Sequence, residues 1–257
     1  MSGTHRLWRA VARAREAFAA PAGAGLRVLG YHSVGPAIPG DPYGLSTSAA
    51  VFARQMALIA SGRFGAPVSL GGARLDGGAE IAVTFDDGYL DTLTTAAPIL
   101  AGLSLPFSVC VTPGLLDAGR PHLSWPELKE LARVPGCEIG AHGLTHARLD
   151  SADDARLSRE LSESRRRLEE ALGRPVTVMT WPHGAASART ADAARAAGFV
   201  RAGCSLYGSN GPDRNPLLLK RTEIVGFDDE RDFAGKASGT WDWFRSEERR
   251  VGKECRL

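Results

Sequence analysis

The chain has 257 residues, which is enough for one large α/β domain or for two small ones. Its composition, 44% hydrophobic and 23% charged, excludes a largely disordered chain. The formal net charge of +2 does not indicate a nucleic-acid partner, and no apolar run reaches the ~18 residues of a transmembrane segment, so we expect neither.

Residues 1–25 predict an amphipathic helix and a link to the main domain. Leu7, Val11, Ala14 and Phe18 recur at helical spacing. Arginines interrupt this segment too often for the apolar core of a signal peptide. We expect the helix to pack on the domain, with contact to a membrane surface as the alternative. The sequence therefore indicates a cytoplasmic or membrane-peripheral protein, and it leaves the oligomeric state open.

Strand-like apolar runs alternate with helical patterns from residue 26 onwards. The strand-like runs are 26–32, 81–85, 106–111, 137–142, 176–181, 199–202 and 217–225. The helical patterns are 49–61, 91–103, 125–133, 153–172 and 190–197. This alternation predicts a parallel sheet with crossover helices, either as a barrel or as an open sheet. In both architectures, functional groups gather where the strands end at their carboxyl side.

Two adjacent carboxylates, Asp86 and Asp87, directly follow the strand-like run 81–85. Two such charges beside a buried strand are costly unless something neutralises them. A metal ion can bind one carboxylate while the other accepts a proton from water, and Gly88 permits a sharp turn. The alternative is a polar turn at the start of a helix, where a negative charge is favoured in any case.

Four histidines follow apolar runs in the same way. His142 and His146 are four residues apart and can point in one direction from a tight loop. Two imidazoles and one carboxylate leave a fourth position free on zinc, although an incidental pair is the alternative. His32 and His183 end two further runs, and His183 can orient a base, donate a proton or simply face solvent.

Taken together, these motifs resemble those of the polysaccharide deacetylases of carbohydrate esterase family four, the group with the NodB-homology domain. Residues 84–89 (TFDDGY) are similar to the first motif of that family. Residues 141–149 are similar to the second, with Gly143 in place of the usual hydroxyl residue, and residues 181–184 to the third. Residues 29–34 resemble a strand that precedes the domain in many bacterial exopolysaccharide members.

The resemblance covers residues 27–227 and implies a fold of the α/β class, a distorted (β/α) barrel with about seven parallel strands. We predict one deacetylase domain at residues 26–244, with a NodB-homology core at 79–230. Residues 245–257 include eight charged residues and have no apolar periodicity. We therefore predict that this last stretch is not native and exclude it from the domain.

The resemblance also implies the roles of the site residues. Asp87, His142 and His146 are implied to bind a divalent metal, with zinc expected first and cobalt, nickel or manganese as alternatives. Asp86 is implied to be the general base. The implied substrate is an N-acetylated carbohydrate, and the residues expected to contact it are Tyr89, Trp181, Pro182 and Gly184.

Two departures from the family pattern affect the expected hydrolysis of an N-acetyl group to acetate and a free amine. The late histidine of the family is absent from residues 217–221, so we predict His183, and after it His32, as the general acid. No arginine precedes Pro182, so the usual partner of the base in that family is missing and the tuning of Asp86 is left open. The alternatives are a catalytically impaired sugar- or metal-binding domain and a small-molecule amide hydrolase on the same site.

Overall fold

The computed structural model describes residues 24–116 and 118–242. The predicted N-terminal helix and the predicted non-native tail at 245–257 lie outside these residues. Within the described part, no helix is both long enough and apolar enough to cross a membrane.

Short parallel strands dominate the described residues. The strands are β1 (Gly25–Tyr31), β2 (Ser33–Val34), β3 (Ser46–Thr47), β4 (Ala66–Val68), β5 (Ala79–Phe85), β6 (Phe107–Val111), β7 (Cys137–Ala141), β8 (Val178–Thr180), β9 (Arg201–Cys204), β10 (Leu219–Lys220) and β11 (Thr222–Glu223). The main sheet has the order β10-β9-β8-β7-β6-β5-β1-β11, with β4 paired to β5 beside this path. β2 and β3 form a separate pair.

The two ends of the main sheet are joined by one short segment of chain. β10 and β11 are separated only by Arg221, yet β10 pairs with β9 while β11 pairs with β1. A sheet whose two edges share a segment is a nearly closed barrel, which removes the exposed edges of an open sheet. The predicted distorted barrel of parallel strands is confirmed, and β10 and β11 together occupy its seventh strand position.

Helices follow most of the strands and cover the outside of the barrel. The α-helices are α1 (Ala49–Ala60), α2 (Ala97–Gly102), α3 (Trp125–Leu131), α4 (Asp154–Leu172), α5 (Ala188–Ala196) and α6 (Glu230–Ser238). Their starts follow from side-chain caps: Ser48, Ser124 and Asp153 each accept a backbone N–H of the first turn. The predicted helix at 91–103 differs, because it begins as a π-helical turn at Thr92–Ala96 before α2.

Two predicted strands differ from the observed ones. The strand predicted at 199–202 runs instead over Arg201–Cys204, because Phe199 still packs under α5 and donates its N–H to the Ala194 carbonyl. The strand predicted at 217–225 is interrupted. It begins with a 3-10 turn at Pro216–Leu218 and then divides at Arg221, where the chain changes its pairing partner.

Side chains alternate between the inside and the outside of the barrel. Along β5, Ile81, Val83 and Phe85 belong to the large core under the helices, whereas Ala82 belongs to a smaller cluster inside the barrel. The other strand residues of that inner cluster are Leu26, Val28, Val178 and Leu219. The inward row of β5 continues through Thr84 to Asp86, so alternation directs Asp86 towards the barrel axis at the carboxyl end.

An aromatic group anchors the large core beside β1 and β5. The ring centroids of Tyr31 and Phe52 are 5.2 Å apart, and those of Phe85 and Phe107 are 6.2 Å apart. All four side chains are fully buried. Burial of a side chain of this size contributes about 1.5–3 kcal/mol. The strand ends that carry the site residues therefore rest on a rigid part of the molecule.

Candidate active site

The predicted site residues converge at the carboxyl end of the barrel. His32 follows β1, Asp86 and Asp87 follow β5, and His142 follows β7. The Asp86 N–H donates to the Tyr31 carbonyl at 3.0 Å, and the His142 N–H donates to the Val111 carbonyl at 2.8 Å. These bonds extend the parallel ladders by one residue, so both side chains start from well-fixed backbone.

Left-handed backbone conformations are concentrated at this site. Among the described residues, the non-glycine residues with positive φ are Ser104 and three site residues: Asp87 (φ 68°), His146 (φ 60°) and His183 (φ 58°). Such a conformation costs an L-residue about 1–2 kcal/mol, and it persists only where the surrounding structure imposes it. The Asp87 carboxylate that follows from this turn faces the imidazole rings of His142 and His146.

Asp87, His142 and His146 form a cluster with the spacing of a metal site. The Asp87 Oδ1 atom lies 3.3 Å from the His146 Nε2 atom and 3.6 Å from the His142 Nε2 atom. The three ligand atoms lie within 4.8 Å of one another. Asp87 Oδ1 is buried and has no hydrogen-bond partner in the described part of the chain, which is costly for an acceptor. The residues therefore fit a divalent cation with one position left open, and this ligand set does not identify the metal.

The protonation state of His142 suits a metal ligand. Its Nδ1 atom lies 3.0 Å from the Thr180 carbonyl oxygen and 2.7 Å from the Thr180 hydroxyl. A carbonyl only accepts, so we infer that Nδ1 carries the hydrogen and that the Nε2 lone pair faces Asp87. Burial lowers the pKa of His142 to about 4, although Asp86 and Asp87 oppose this, so the ring is neutral at pH 7.

Asp86 has a charged partner that lies outside the predicted motifs. The Nη2 atom of Arg221 donates to Asp86 Oδ2 at 2.6 Å, and both side chains are 1% exposed. The Thr180 hydroxyl donates to Asp86 Oδ1 at 2.7 Å. Burial on its own would raise the pKa of Asp86, but the Arg221 guanidinium, followed by His142 and His32, holds this pKa well below its usual value. Arg221 thus supplies the charged partner that is missing before Pro182.

Local motifs could not reveal this pairing. Arg221 lies in a leucine-rich run that we interpreted as an ordinary strand, and it reaches Asp86 only because that run closes the barrel. The available signal was a charged residue in an otherwise apolar strand, a position that is costly unless the charge is paired. Thr180 lies in the predicted strand at 176–181, and nothing in that strand pattern indicates its bonds to Asp86 and His142.

The two predicted acid candidates occupy different positions. The His32 Nε2 atom lies 3.9 Å from Asp86 Oδ2, and the side chain is 15% exposed. His183 lies on the exposed rim, and its Nε2 atom faces the His146 carbonyl oxygen at 3.2 Å. Burial and, after it, His146 lower the pKa of His183. His32 thus faces the buried carboxylate, while His183 contacts the backbone of a predicted metal ligand.

Tyr89 and His122 stack next to the turn that carries Asp87. Their rings stack with centroids 5.0 Å apart and planes inclined by 30°. The N–H of Leu123 donates to the Gly88 carbonyl at 2.8 Å, which ties the loop after β6 to the turn after Asp87. Burial and, after it, Asp87 raise the pKa of Tyr89 to about 12. His122 is not among the predicted site residues, because no motif or strand end marks it in the sequence.

The third motif, residues 181–184, packs mostly inside the protein next to the site. Trp181 is fully buried, and its Nε1 atom donates to the Leu217 carbonyl at 2.9 Å. Pro182 is buried beside Gly143. Gly184 (φ 63°) packs against Ser205, with which a Cβ at this position would collide. The side chains of Trp181 and Pro182, which we expected to contact the substrate, are thus turned into the protein.

Residues 75–202 match the family model described as polysaccharide deacetylase. A curated relative, "Putative polysaccharide deacetylase YxkH" from Bacillus subtilis (strain 168), is 24% identical over 144 residues. That match covers 56% of this chain and 51% of YxkH, so it spans about half the length of this relative.

Solved structures share the barrel. The Streptococcus pyogenes deacetylase PplD in complex with acetate has a TM-score of 0.72 at 18% identity, covering 84% of this chain and 99% of PplD. IcaB from Ammonifex degensii has a TM-score of 0.72 at 24% identity, covering 85% of this chain and 98% of IcaB. These likenesses concern the fold.

Because the family model spans all three motifs at the end of such a barrel, the chain belongs to the polysaccharide deacetylase family, the NodB-homology group of carbohydrate esterase family four.

Proposed function

We propose that this chain hydrolyses the N-acetyl group of an amino sugar in an oligo- or polysaccharide, in a metal-dependent reaction that releases acetate and leaves a free amine. The observation that carries this proposal is the cluster of Asp87, His142 and His146 directly beside the buried Asp86–Arg221 pair. Such an arrangement offers one group of side chains for a cation and a separate, ionised carboxylate for a proton. The family supports an acetylated carbohydrate as the substrate class.

In this proposal, Asp87, His142 and His146 hold the cation, with zinc expected first and cobalt, nickel or manganese as alternatives. A divalent cation at this position supplies Lewis-acid polarisation of the acetamide carbonyl. His142 is held in the ligating tautomer by Thr180. Asp87 offers an oxygen that no other described group occupies.

Asp86 accepts the proton of the attacking water. Thr180 and Arg221 each occupy one lone pair of its carboxylate, which fixes the orientation of the group and leaves the remaining lone pairs for the water. Arg221 also keeps Asp86 ionised in spite of its burial. The Tyr89 N–H, which donates to no group in the described part of the chain, is the donor we assign to the developing oxyanion.

We assign the proton transfer to the leaving amine to His32 before His183, which reverses the order expected from the sequence. His32 lies on the Asp86 side of the site, where the water is deprotonated. The Nε2 atom of His183 faces a backbone carbonyl, and Nε2 must donate its hydrogen to make that bond. His183 therefore has one ring nitrogen fewer available for the substrate.

The test is acetate release from chitooligosaccharides, poly-N-acetylglucosamine and peptidoglycan fragments by the full chain, first stripped with a chelator and then supplied with zinc. Release that depends on added metal supports the proposal. Metal and sugar binding without acetate release favours the catalytically impaired domain. Release from small amides alone favours the small-molecule amide hydrolase.

A further inference from the structure

The loop that connects His142 to His146 needs a source of rigidity. His142 is fixed by its backbone bond to Val111 and by the bonds of its ring to Thr180. His146 lies four residues further along, its side chain is 31% exposed, and its backbone has the unfavourable φ of 60°. The His146 carbonyl faces His183 on the exposed rim. Because a left-handed non-glycine residue does not hold itself in place, buried contacts elsewhere in the loop must contribute as well.

Glu160 of α4 makes those contacts. Its side chain is 1% exposed and points from the buried face of the helix into the loop. Its Oε2 atom accepts the N–H of Leu144 at 2.8 Å and the N–H of Thr145 at 3.0 Å. Its Oε1 atom accepts the Thr145 hydroxyl at 2.5 Å. A buried carboxylate is costly unless it is hydrogen-bonded, and here all three bonds go to two consecutive residues of this loop.

The opposite side of the loop is also held. The Gly114 N–H donates to the Leu144 carbonyl at 2.8 Å, and the Thr112 hydroxyl donates to the His142 carbonyl at 2.8 Å. Gly143 has a φ of 69°, and a Cβ on it would lie 3.0 Å from the ring of Pro182 and 3.5 Å from Glu160. The loop is therefore enclosed between the turn after β6 and Glu160, with little space for a different path.

We propose that Glu160 is a positioning residue of the metal centre. Its carboxylate fixes Leu144 and Thr145 so that the next residue, His146, keeps its Nε2 atom 3.3 Å from Asp87 Oδ1. The inference rests on the proposed function for the presence of a metal, and it extends the centre beyond its three ligands. Groups that orient metal ligands typically change metal affinity by about 10–100-fold when they are removed.

The experiment measures zinc affinity of the full chain by competition with a fluorescent chelator, together with the absorption spectrum of the cobalt-loaded protein. Glu160→Ala should weaken zinc binding by about 10–100-fold and alter the cobalt spectrum, because His146 loses its fixed position. Glu160→Gln should retain most of the affinity, since the amide oxygen can accept both N–H groups while the amide nitrogen donates to Thr145.

Glu138 provides a matched control at the amino end of β7. Its Oε2 atom accepts the Gly71 N–H at 2.9 Å and the Ser108 hydroxyl at 2.6 Å, so it makes the same kinds of bond without touching the site. Glu138→Ala and Glu160→Ala should both lower the free energy of unfolding of the metal-free protein. Only Glu160→Ala should weaken zinc binding and change the cobalt spectrum.

A double-mutant cycle separates positioning from general destabilisation. In a His146→Ala background, Glu160→Ala should cost little further zinc affinity, because its effect passes through His146. Fully additive losses, or wild-type zinc affinity in Glu160→Ala, would overturn the role of Glu160. If Glu160→Ala does not fold, Thr145→Val serves instead, because it removes only the hydroxyl bond to Glu160. Thr145→Val should still weaken zinc binding, and an unchanged zinc affinity in this variant overturns the inference. A wild-type chain that binds neither zinc nor cobalt, nickel or manganese overturns the proposed function and this role together.

Discussion

Buried charged groups at the two ends of the barrel differ in how completely they are hydrogen-bonded. At the amino end, Arg27 makes a bidentate pair with Asp242 at 2.8 and 2.9 Å, and Glu80 and Glu138 accept hydrogen bonds from the loop that covers this end. At the carboxyl end, Asp87 Oδ1 and Arg221 Nε are buried without a hydrogen-bond partner among the described residues. None of the four charged side chains named at the amino end has a buried polar atom without a hydrogen-bond partner.

This difference indicates that the carboxyl end contributes less to the stability of the fold than the amino end does. Polar groups that are fully hydrogen-bonded contribute to the fold, whereas an unsatisfied atom next to left-handed backbone costs free energy and is retained for another purpose. In barrels of this type, the carboxyl end carries the chemistry and the amino end carries stability. We therefore expect substitutions at the two ends to separate activity from stability.

The largest effect on activity is expected from Asp87→Asn. It should lower both zinc affinity and acetate release by more than about 100-fold, since it replaces a charged ligand of the proposed metal. The free energy of unfolding of the metal-free protein should not fall, because Asp87 Oδ1 gives up no hydrogen bond. Chelator competition and urea unfolding in EDTA measure the two quantities. A destabilised apo-protein would mean that Asp87 is a structural residue.

Asp86→Asn tests the division of roles between the two carboxylates. Zinc should remain bound, while acetate release should fall by about 10²–10⁴-fold, the usual contribution of a positioned proton acceptor. Metal content and acetate release are measured on the same preparation. Turnover at the wild-type rate would contradict the assignment of Asp86 as the base.

Arg221→Met should lower the free energy of unfolding, because it leaves the buried Asp86 carboxylate without its charged partner. Leaving a buried charge without its partner costs about 3–5 kcal/mol of stability at neutral pH. In the wild type, the lowered pKa of Asp86 means that the pair stabilises the fold above the unfolded-state pKa of about 3.9, and that this stabilisation is lost as the pH falls further.

Without Arg221, burial raises the pKa of Asp86, so the variant can take up a proton and relieve its penalty in acid. The difference in the free energy of unfolding between variant and wild type should therefore be largest at neutral pH. It should begin to narrow as the pH falls to the raised pKa of Asp86 in the variant, above about pH 4, and should narrow further below about pH 4, where the wild type loses its own stabilisation. Urea unfolding of the metal-free proteins across this range measures it. A difference that is independent of pH would argue that Arg221 acts by packing alone.

The smallest effect on activity is expected at the amino end. Arg27→Ala leaves Asp242 without its bidentate partner and should lower stability by about 1–3 kcal/mol. Zinc affinity and acetate release, corrected for the folded fraction, should stay at the wild-type level. Arg195→Ala, which breaks the exposed pair with Asp192, is the control and should change stability by about 1 kcal/mol or less. Lost zinc binding in Arg27→Ala would show that the two ends are coupled.

Local patterns predicted the barrel and the metal cluster well. The helical spacing of apolar residues predicts a helix at 153–172, and α4 has almost the same bounds, Asp154–Leu172. Asp86 and Asp87 lie together in one motif, and His142 and His146 in another, so adjacent residues already indicate the chemistry. Each pair also follows an apolar strand, which places the two motifs at the same end of the sheet.

Residues that act across long sequence separations could not be predicted in this way. Arg221 pairs with Asp86, Thr180 bridges Asp86 and His142, and Glu160 holds the histidine loop. Each is unremarkable in its own segment, and its role follows only from which strands and helices become neighbours. The shifted β9 has a similar cause, because packing of Phe199 under α5 decides where the strand can begin.

The position of Arg221 in the closing segment links assembly of the barrel to the order in which the chain is synthesised. A nascent chain that has emerged as far as residue 202, the end of the family match, already carries Asp86, Asp87 and both clustered histidines, but it lacks the guanidinium that neutralises Asp86. In such an intermediate, we expect β9 and β1 to remain unconnected and Asp86 to remain exposed to water. The Asp86 carboxylate would then become buried only when residues 219–223 add the final pairing to both edges at once.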